Sequence, residues 1–316
     1  MANVGVRCAK KETRLKILVT GGLGIVGKPL VEELRRKGHE VWLCDLYQHH
    51  DPQYVRCDVK HLRQLQALFA GREFDCVYHL AAEFGRHNGE NFYENLWATN
   101  VVGTKNLLEL QRERGFRMVF FSSSEVYGDY DGVMSEEVME QYAIRQMNDY
   151  AMSKWVGEMQ VANSAELFGT ETVRVRLFNV YGPGEYYSPY RSAICLFAYR
   201  AMVGEPYKVF TDHHRTSLFN SDAVRTLGQI CERFIPGMVY NIGGTEYHDM
   251  RSVSDMILNY LGRSDDIVEY VQSEPMTTKD KRVDTARAAR DLNHAATVTL
   301  HEGIPQTIDW LKQIYG

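Results

Sequence analysis

The chain of 316 residues has no apolar run near the roughly 20 residues that a helix needs to cross a bilayer. It has no run of basic residues either, and its net charge is -5. Nucleic acid and acidic membrane surfaces are therefore not expected as its main partners. The first fifteen residues, MANVGVRCAKKETRL, carry charge but no apolar core. A signal peptide is therefore not expected, and residues 1–15 read as a short flexible arm. The six cysteines contain no C-x-x-C pair, which leaves no zinc motif and no disulfide framework. Three of them stand in apolar strand-like runs, where a thiol behaves as a small hydrophobe. A reducing cytoplasm is the expected setting. Internal repeats and low-complexity linkers are also missing.

What is present is an alternation. KILVTG (16–21) is a β-branched run bounded by glycine and reads as a buried strand. KPLVEELRRKG (28–38) has helical spacing and a glycine stop. EVWLCD, FDCVYHLAA and RMVFFSSS read as further strands, with helices over HLRQLQALFA and ATNVVGTKNLLELQRERG. Strands alternating with helices predict an α/β fold, a Rossmann-type doubly wound parallel sheet, over residues 16–180. Beyond residue 180 the pattern loosens, and residues 181–316 are expected to form a smaller mixed α/β substrate-binding region, interleaved with the first or closing over it.

Two motifs carry chemistry. In VTGGLGIVGKPL, Gly21, Gly24 and Gly27 stand between the first strand and the first helix. Glycines there permit a tight turn and let backbone N–H groups approach a pyrophosphate at the helix start. Such loops also join strands to helices for structural reasons alone, so context decides. Asp45 ends the second strand, where a carboxylate can accept hydrogen bonds from both ribose hydroxyls and repel a 2′-phosphate; NAD is expected rather than NADP. Asp58, after the next strand-like run, is a candidate for the adenine. The second motif is Tyr150 and Lys154, four apart and so on one helix face. An ammonium beside a phenol is expected to pull its pKa from about 10 toward working pH, making Tyr150 a base for a sugar hydroxyl. The same spacing also occurs as a solvated helix pair. SSSE (122–125) ends a strand, the place where ligands bind in such sheets.

These pieces, in their order and spacing, resemble the extended short-chain dehydrogenase/reductases, the nucleotide-sugar epimerase/dehydratase family. The likeness runs from ILVTGGLGIVG through YHLAA, TNVVGTKNLLE, FSSSEVYG, YAMSK and RLFNVYGP to YNIGG and TLHEGIPQTIDWLK. It implies NAD as cofactor, a nucleotide-sugar substrate and a homodimer built on helices near 99–114 and around Tyr150. By resemblance the glycine loop with Ile25 and Val26 holds the pyrophosphate. Asp45, Asp58 and Val59 meet the adenosine; Leu80, Ala81, Ala82 and Asn100 line the cofactor. Ser123 would bond the hydroxyl being oxidised, Tyr150 would be the base, and Lys154 would anchor the nicotinamide ribose. Asn179 and Arg215 would meet the diphosphate, with Arg191, Tyr187 and Arg282 also on the substrate.

Members of this kind oxidise carbon 4 of a hexose and then differ in the next step. Glu125 fits the glutamate that handles carbon 5 in 4,6-dehydratases. Ser124, where many glucose dehydratases carry aspartate, is similar to UDP-glucuronate decarboxylases and GDP-mannose dehydratases. Dehydration or decarboxylation is therefore expected, with 4-epimerisation as the alternative. A catalytically silent redox sensor is a further alternative, but the Tyr150–Lys154 pair is intact. The loop AAEFGRHNGENFYEN departs from the family pattern. Glu83, Arg86 and His87 in it could meet the sugar, Arg86 through a glucuronate carboxylate. His213 and His214 are adjacent and point in different directions on a strand, so no metal site is expected.

Overall fold

The computed structural model describes residues 14–316. Cys8 and nearly all of the expected N-terminal arm, residues 1–15, lie outside the described residues. The elements that position the site are β1 (Lys16–Thr20), α1 (Gly27–Arg36), β2 (Glu40–Asp45), β3 (Tyr54–Arg56) and α2 (Leu62–Phe69). They continue with β4 (Cys76–His79), α3 (Gly103–Arg114), β5 (Arg117–Ser123), α4 (Asp149–Phe168) and β6 (Thr172–Leu177). Next come α5 (Ala193–Val203), α6 (Asn220–Leu227), β7 (Val239–Ile242), α7 (Met250–Leu261) and α8 (Leu300–Tyr315).

The seven strands form one sheet in the order β7-β6-β5-β4-β1-β2-β3, every neighbouring pair parallel. Both faces are covered, so β1, β4 and β5 are buried along almost their whole length rather than at alternate residues. Ile17 and Val19 of β1 feed one core, with Leu30 and Leu34 of α1 and Leu227 of α6. Leu18, between them, feeds the other, with Leu65 of α2 and Leu107 of α3. A one-residue slip of β1 would exchange these partners, which is why its register is fixed. Chain order reverses between β1 and β4, and the cleft opens at the strand ends there.

β7 and α6 come from beyond residue 180 yet complete the sheet and its cover. The buried run Val239–Ile242 pairs with β6, so the two regions interleave. α5, α7 and α8 pack on each other around Phe197, Ile257 and Ile308 as a separate core beside the sheet.

α4 is held at both ends. Asn148 accepts the Ala151 N–H at 2.8 Å as its N-cap, and Gly169 ends it in the left-handed conformation. In its middle the buried Glu158 takes Arg176 of β6 in a two-pronged pair, both contacts 2.8 Å, and Ser122 of β5 at 2.6 Å. Arg176 also donates to the Tyr127 hydroxyl at 2.9 Å, which in turn donates to Asn241 of β7 at 2.7 Å. This buried network ties α4 to three strands and fixes the helix that presents Tyr150 and Lys154. Among the described residues, no helix is long and apolar enough to cross a membrane.

Candidate active site

The strand ends open on a cavity of about 1290 Å³. The turn after β1 forms one wall. Gly21 has φ +70°, and a Cβ there would stand 2.7 Å from the Ala81 nitrogen; at Gly27 it would run into the Gly21 carbonyl. No side chain caps the start of α1; the Lys28 N–H bonds the Gly24 carbonyl at 3.0 Å and Pro29 has none, which leaves the Gly27 N–H of the first turn for an anion. Ile25 and Val26 line the same wall as the glycines. Asp45 closes it: its carboxylate accepts the Leu23 N–H at 3.0 Å and the Leu46 N–H at 2.7 Å. Asp58, Val59, Leu80, Ala81 and Ala82 also face the cavity, the last three where the chain leaves β4. An uncapped helix start, a glycine cradle and a carboxylate at the second strand's end fit a dinucleotide without a 2′-phosphate.

Ser123, Ser124 and Glu125 lie at the end of β5, and Tyr150 and Lys154 enter from α4. Ser123 accepts the Glu125 N–H at 3.2 Å, so the strand ends in a tight helical turn that aims all three side chains at the cleft. Lys154 donates to the Phe121 carbonyl at 2.9 Å, and its nitrogen lies 6.0 Å from the Tyr150 ring centre. The two share a helix face, but the expected fall in the phenol's pKa is not what these residues produce by themselves. Burial pushes Tyr150 up to about 12, with Ser123 lowering and Glu125 raising it. Burial brings Lys154 down to about 8. Desolvation outweighs an ammonium that is turned toward a backbone carbonyl.

Glu125 has a partner the sequence did not reveal. Lys281, 1% exposed, forms an ion pair with its carboxylate. Burial raises the carboxyl's pKa, but Lys281, Arg86 and Arg215 outweigh burial and hold it at about 2. Lys281 is lowered to about 8, by burial first, against the pull of Glu125. In DKRVD it was Arg282 that was expected at the substrate; period two puts Lys281 and Val283 on one face and Arg282 on the other. Glu274 was also missed: it takes Arg86 at 2.7 Å and His87 at 2.8 Å. It sits in an irregular segment nearly two hundred residues from both, and no local pattern marks it.

Of the other expected substrate residues, Glu83, Arg86, His87, Asn179, Arg191 and Arg215 line the cavity. Three expected residues do not. Asn100 lies behind the wall, bonded to both backbone groups of Glu83 and to Ser153, each at 2.9 Å. The Tyr187 ring stacks on Tyr199 with centres 3.7 Å apart, and Arg282 lies over Tyr247 at 4.5 Å. Their side chains are spent on neighbours. His213 is buried inside and receives Arg215 at 3.1 Å, whereas His214 is half-exposed beside Asp280 at 3.0 Å. Among the described residues, no group of three or more His, Cys, Asp or Glu could hold a metal.

Residues 17–243 match the NAD dependent epimerase/dehydratase family. The chain belongs to that family. Its cofactor is NAD. A UDP-N-acetyl-alpha-D-glucosaminuronate decarboxylase of Bacillus cytotoxicus is 27% identical over 319 residues, 95% of this chain and 98% of the relative. A dTDP-glucose 4,6-dehydratase of Neisseria meningitidis is 28% identical, covering 93% of this chain and 92% of the relative. The crystal structure of a UDP-glucuronic acid 4-epimerase from Bacillus cereus, with UDP-glucuronic acid and NAD, superposes with TM-score 0.84. It is 25% identical, and the match covers 95% of this chain and all of the other. Family members thus share the fold and the cofactor, and their names divide over the reaction.

Proposed function

We propose that this epimerase/dehydratase acts on a nucleotide-linked sugar through a ketone at carbon 4, followed by dehydration or decarboxylation at carbon 5. The observation that carries this is the ion pair between Glu125, which lines the cleft beside Ser123 and Tyr150, and the buried Lys281 behind it. In the proposed roles, Ser123 orients the carbon-4 hydroxyl and Tyr150 removes its proton. NAD, when bound, supplies the hydride acceptor and a positive charge near the phenol. Glu125 and Lys281 form the acid–base couple at carbon 5: the carboxylate can take a proton there, and the ammonium behind it can return one. Ser124 lines the same cleft and hydrogen-bonds the sugar.

A second reading, 4-epimerisation, is favoured by one observation. A carboxylate held at about 2 is a weak base, and rotation of a ketone needs none at carbon 5. Incubation with UDP-, GDP-, dTDP- and CDP-sugars, products read by mass, separates the cases. Loss of water or carbon dioxide supports the first reading, and a product of unchanged mass supports the second.

For the cofactor we propose that the glycine loop holds the pyrophosphate and Asp45 the adenosine ribose. Protein purified from cells should carry NAD, and Asp45→Ala should lose much of it while its circular dichroism stays unchanged. Equal affinity of the unaltered protein for NAD and NADP would contradict that role for Asp45.

We also propose a homodimer through α3 and α4, where Val102 just before α3 and Met152 and Met159 of α4 are 40–48% exposed. Light scattering at micromolar concentration should give twice the chain mass; a monomer mass rules the pairing out. A cytoplasmic location is proposed from Cys44, Cys57, Cys76, Cys195 and Cys231, all free and buried. Disulfides found in protein isolated under alkylating conditions would count against it.

A further inference from the structure

The sugar end of the cleft gathers charged groups of both signs. Lys281, Arg86 and Arg215 all act on Glu125, and Glu274 is the second carboxylate there. Asp280, half-exposed, also acts on Arg215, so the three cations face three carboxylates. Arg215 is already engaged, donating to the His214 and Lys279 carbonyls at 2.8 and 2.7 Å and facing His213. Arg86 is not. One terminal nitrogen donates to Glu274, while the other is buried without any partner. A guanidinium presents two parallel donors that match both oxygens of one carboxylate. Glu274 meets only one of them, because its other oxygen faces His87 at 2.8 Å.

We propose that the sugar is a uronate, whose carboxylate on carbon 5 is received by Arg86, and that Glu274 is the resident carboxylate it displaces. This rests on the reading of the cleft as a nucleotide-sugar site. The incoming group would satisfy both Arg86 terminal nitrogens and take over the negative charge of Glu274, whose segment would swing toward solvent with His87. A neutral hexose would not offer that gain, since the Arg86–Glu274 pair would stay half-satisfied beneath it. A carboxylate so placed is β to a ketone at carbon 4. The carbon 5–carbon 6 bond can then break with its electron pair passing to the ketone as an enolate, carbon dioxide leaves, and one proton is added at carbon 5.

The test uses the full chain with NAD and UDP-, GDP-, dTDP- and CDP-linked glucuronate and galacturonate, each beside its neutral hexose. Reduction of the nicotinamide reports oxidation at carbon 4. For the accepted base, the uronate should show a KM lower than its neutral counterpart by roughly 10–100-fold, the worth of a charge-assisted pair. Arg86→Gln should remove that difference by raising the uronate KM alone. Glu274→Gln, which frees Arg86, should lower the uronate KM and leave the hexose unchanged. Equal KM values for uronate and hexose in the unaltered protein would overturn the inference while sparing the nucleotide-sugar function. So would a shift of both KM values together in both variants. If no nucleotide-sugar of either kind reduces the nicotinamide, the function falls, and the uronate inference falls with it.

Discussion

Tyr150→Phe should lower the rate of carbon-4 oxidation by roughly 10²–10⁴-fold, the usual worth of a positioned general base. The change deletes one oxygen and keeps the ring, whose packing on α4 is unaffected. Burial holds the phenol at about 12, so Tyr150 starts protonated and needs the Ser123 hydroxyl and a nearby cation to give up its proton. Lys154→Met should lower the same rate, because the ammonium is the charged group of the chain that shares the phenol's helix face. Stopped-flow absorbance of the reduced nicotinamide checks both variants. A near-normal rate for Tyr150→Phe would mean that the proton leaves by another route.

Glu125→Gln should separate the two halves of the reaction. The amide keeps the shape of the carboxylate but cannot take a proton, so carbon 4 should still be oxidised while product formation falls by at least roughly 10²-fold. Reduced nicotinamide should then accumulate on the protein. Product at a near-normal rate would remove Glu125 from the chemistry and favour 4-epimerisation.

Lys281→Met tests whether Lys281 acts by setting the charge of Glu125. With Lys281 present the carboxyl stands at about 2, below its ordinary 4.5, so the folded state binds fewer protons than the unfolded chain. That contribution to stability is present above 4.5 and is lost as pH falls toward 2. Without Lys281 burial gains weight and the carboxyl moves up. The acid limb of the pH–rate profile should shift toward neutral, and stability should fall where wild type holds it, as pH rises through the carboxylate range. A merely structural lysine would lower stability without moving the acid limb.

Much of the site was legible because its residues are local in sequence. The glycine loop, Asp45, SSSE and the Tyr150–Lys154 pair each sit at a strand end or on one helix turn, where spacing alone fixes direction. The parallel sheet was legible for the same reason in β1, β2, β4 and β5, each a short run with a glycine or a helix beside it, whereas β6, TVRVRL, carries two arginines. What was not legible depends on long-range contact. Lys281 meets Glu125 across 156 residues, and Glu274 meets Arg86 across 188. Nothing in either neighbourhood shows which distant chain will bury it. Tyr187 and Arg282 suit a sugar site by residue type, but their side chains lie against Tyr199 and Tyr247, contacts that local sequence does not show. β7 is a run of only four residues, Val239–Ile242, and its pairing with β6 is what assigns it to the sheet.

The most direct test is the accepted nucleotide-sugar converted in deuterated water, with the product read by NMR at carbon 5. Chemistry at carbon 5 through Glu125 and Lys281 requires that carbon to gain or regain its proton from exchangeable groups, so the product should carry one deuterium there. A product with no deuterium at carbon 5 would mean that only carbon 4 is touched, and the Glu125–Lys281 pair would have no part in the reaction.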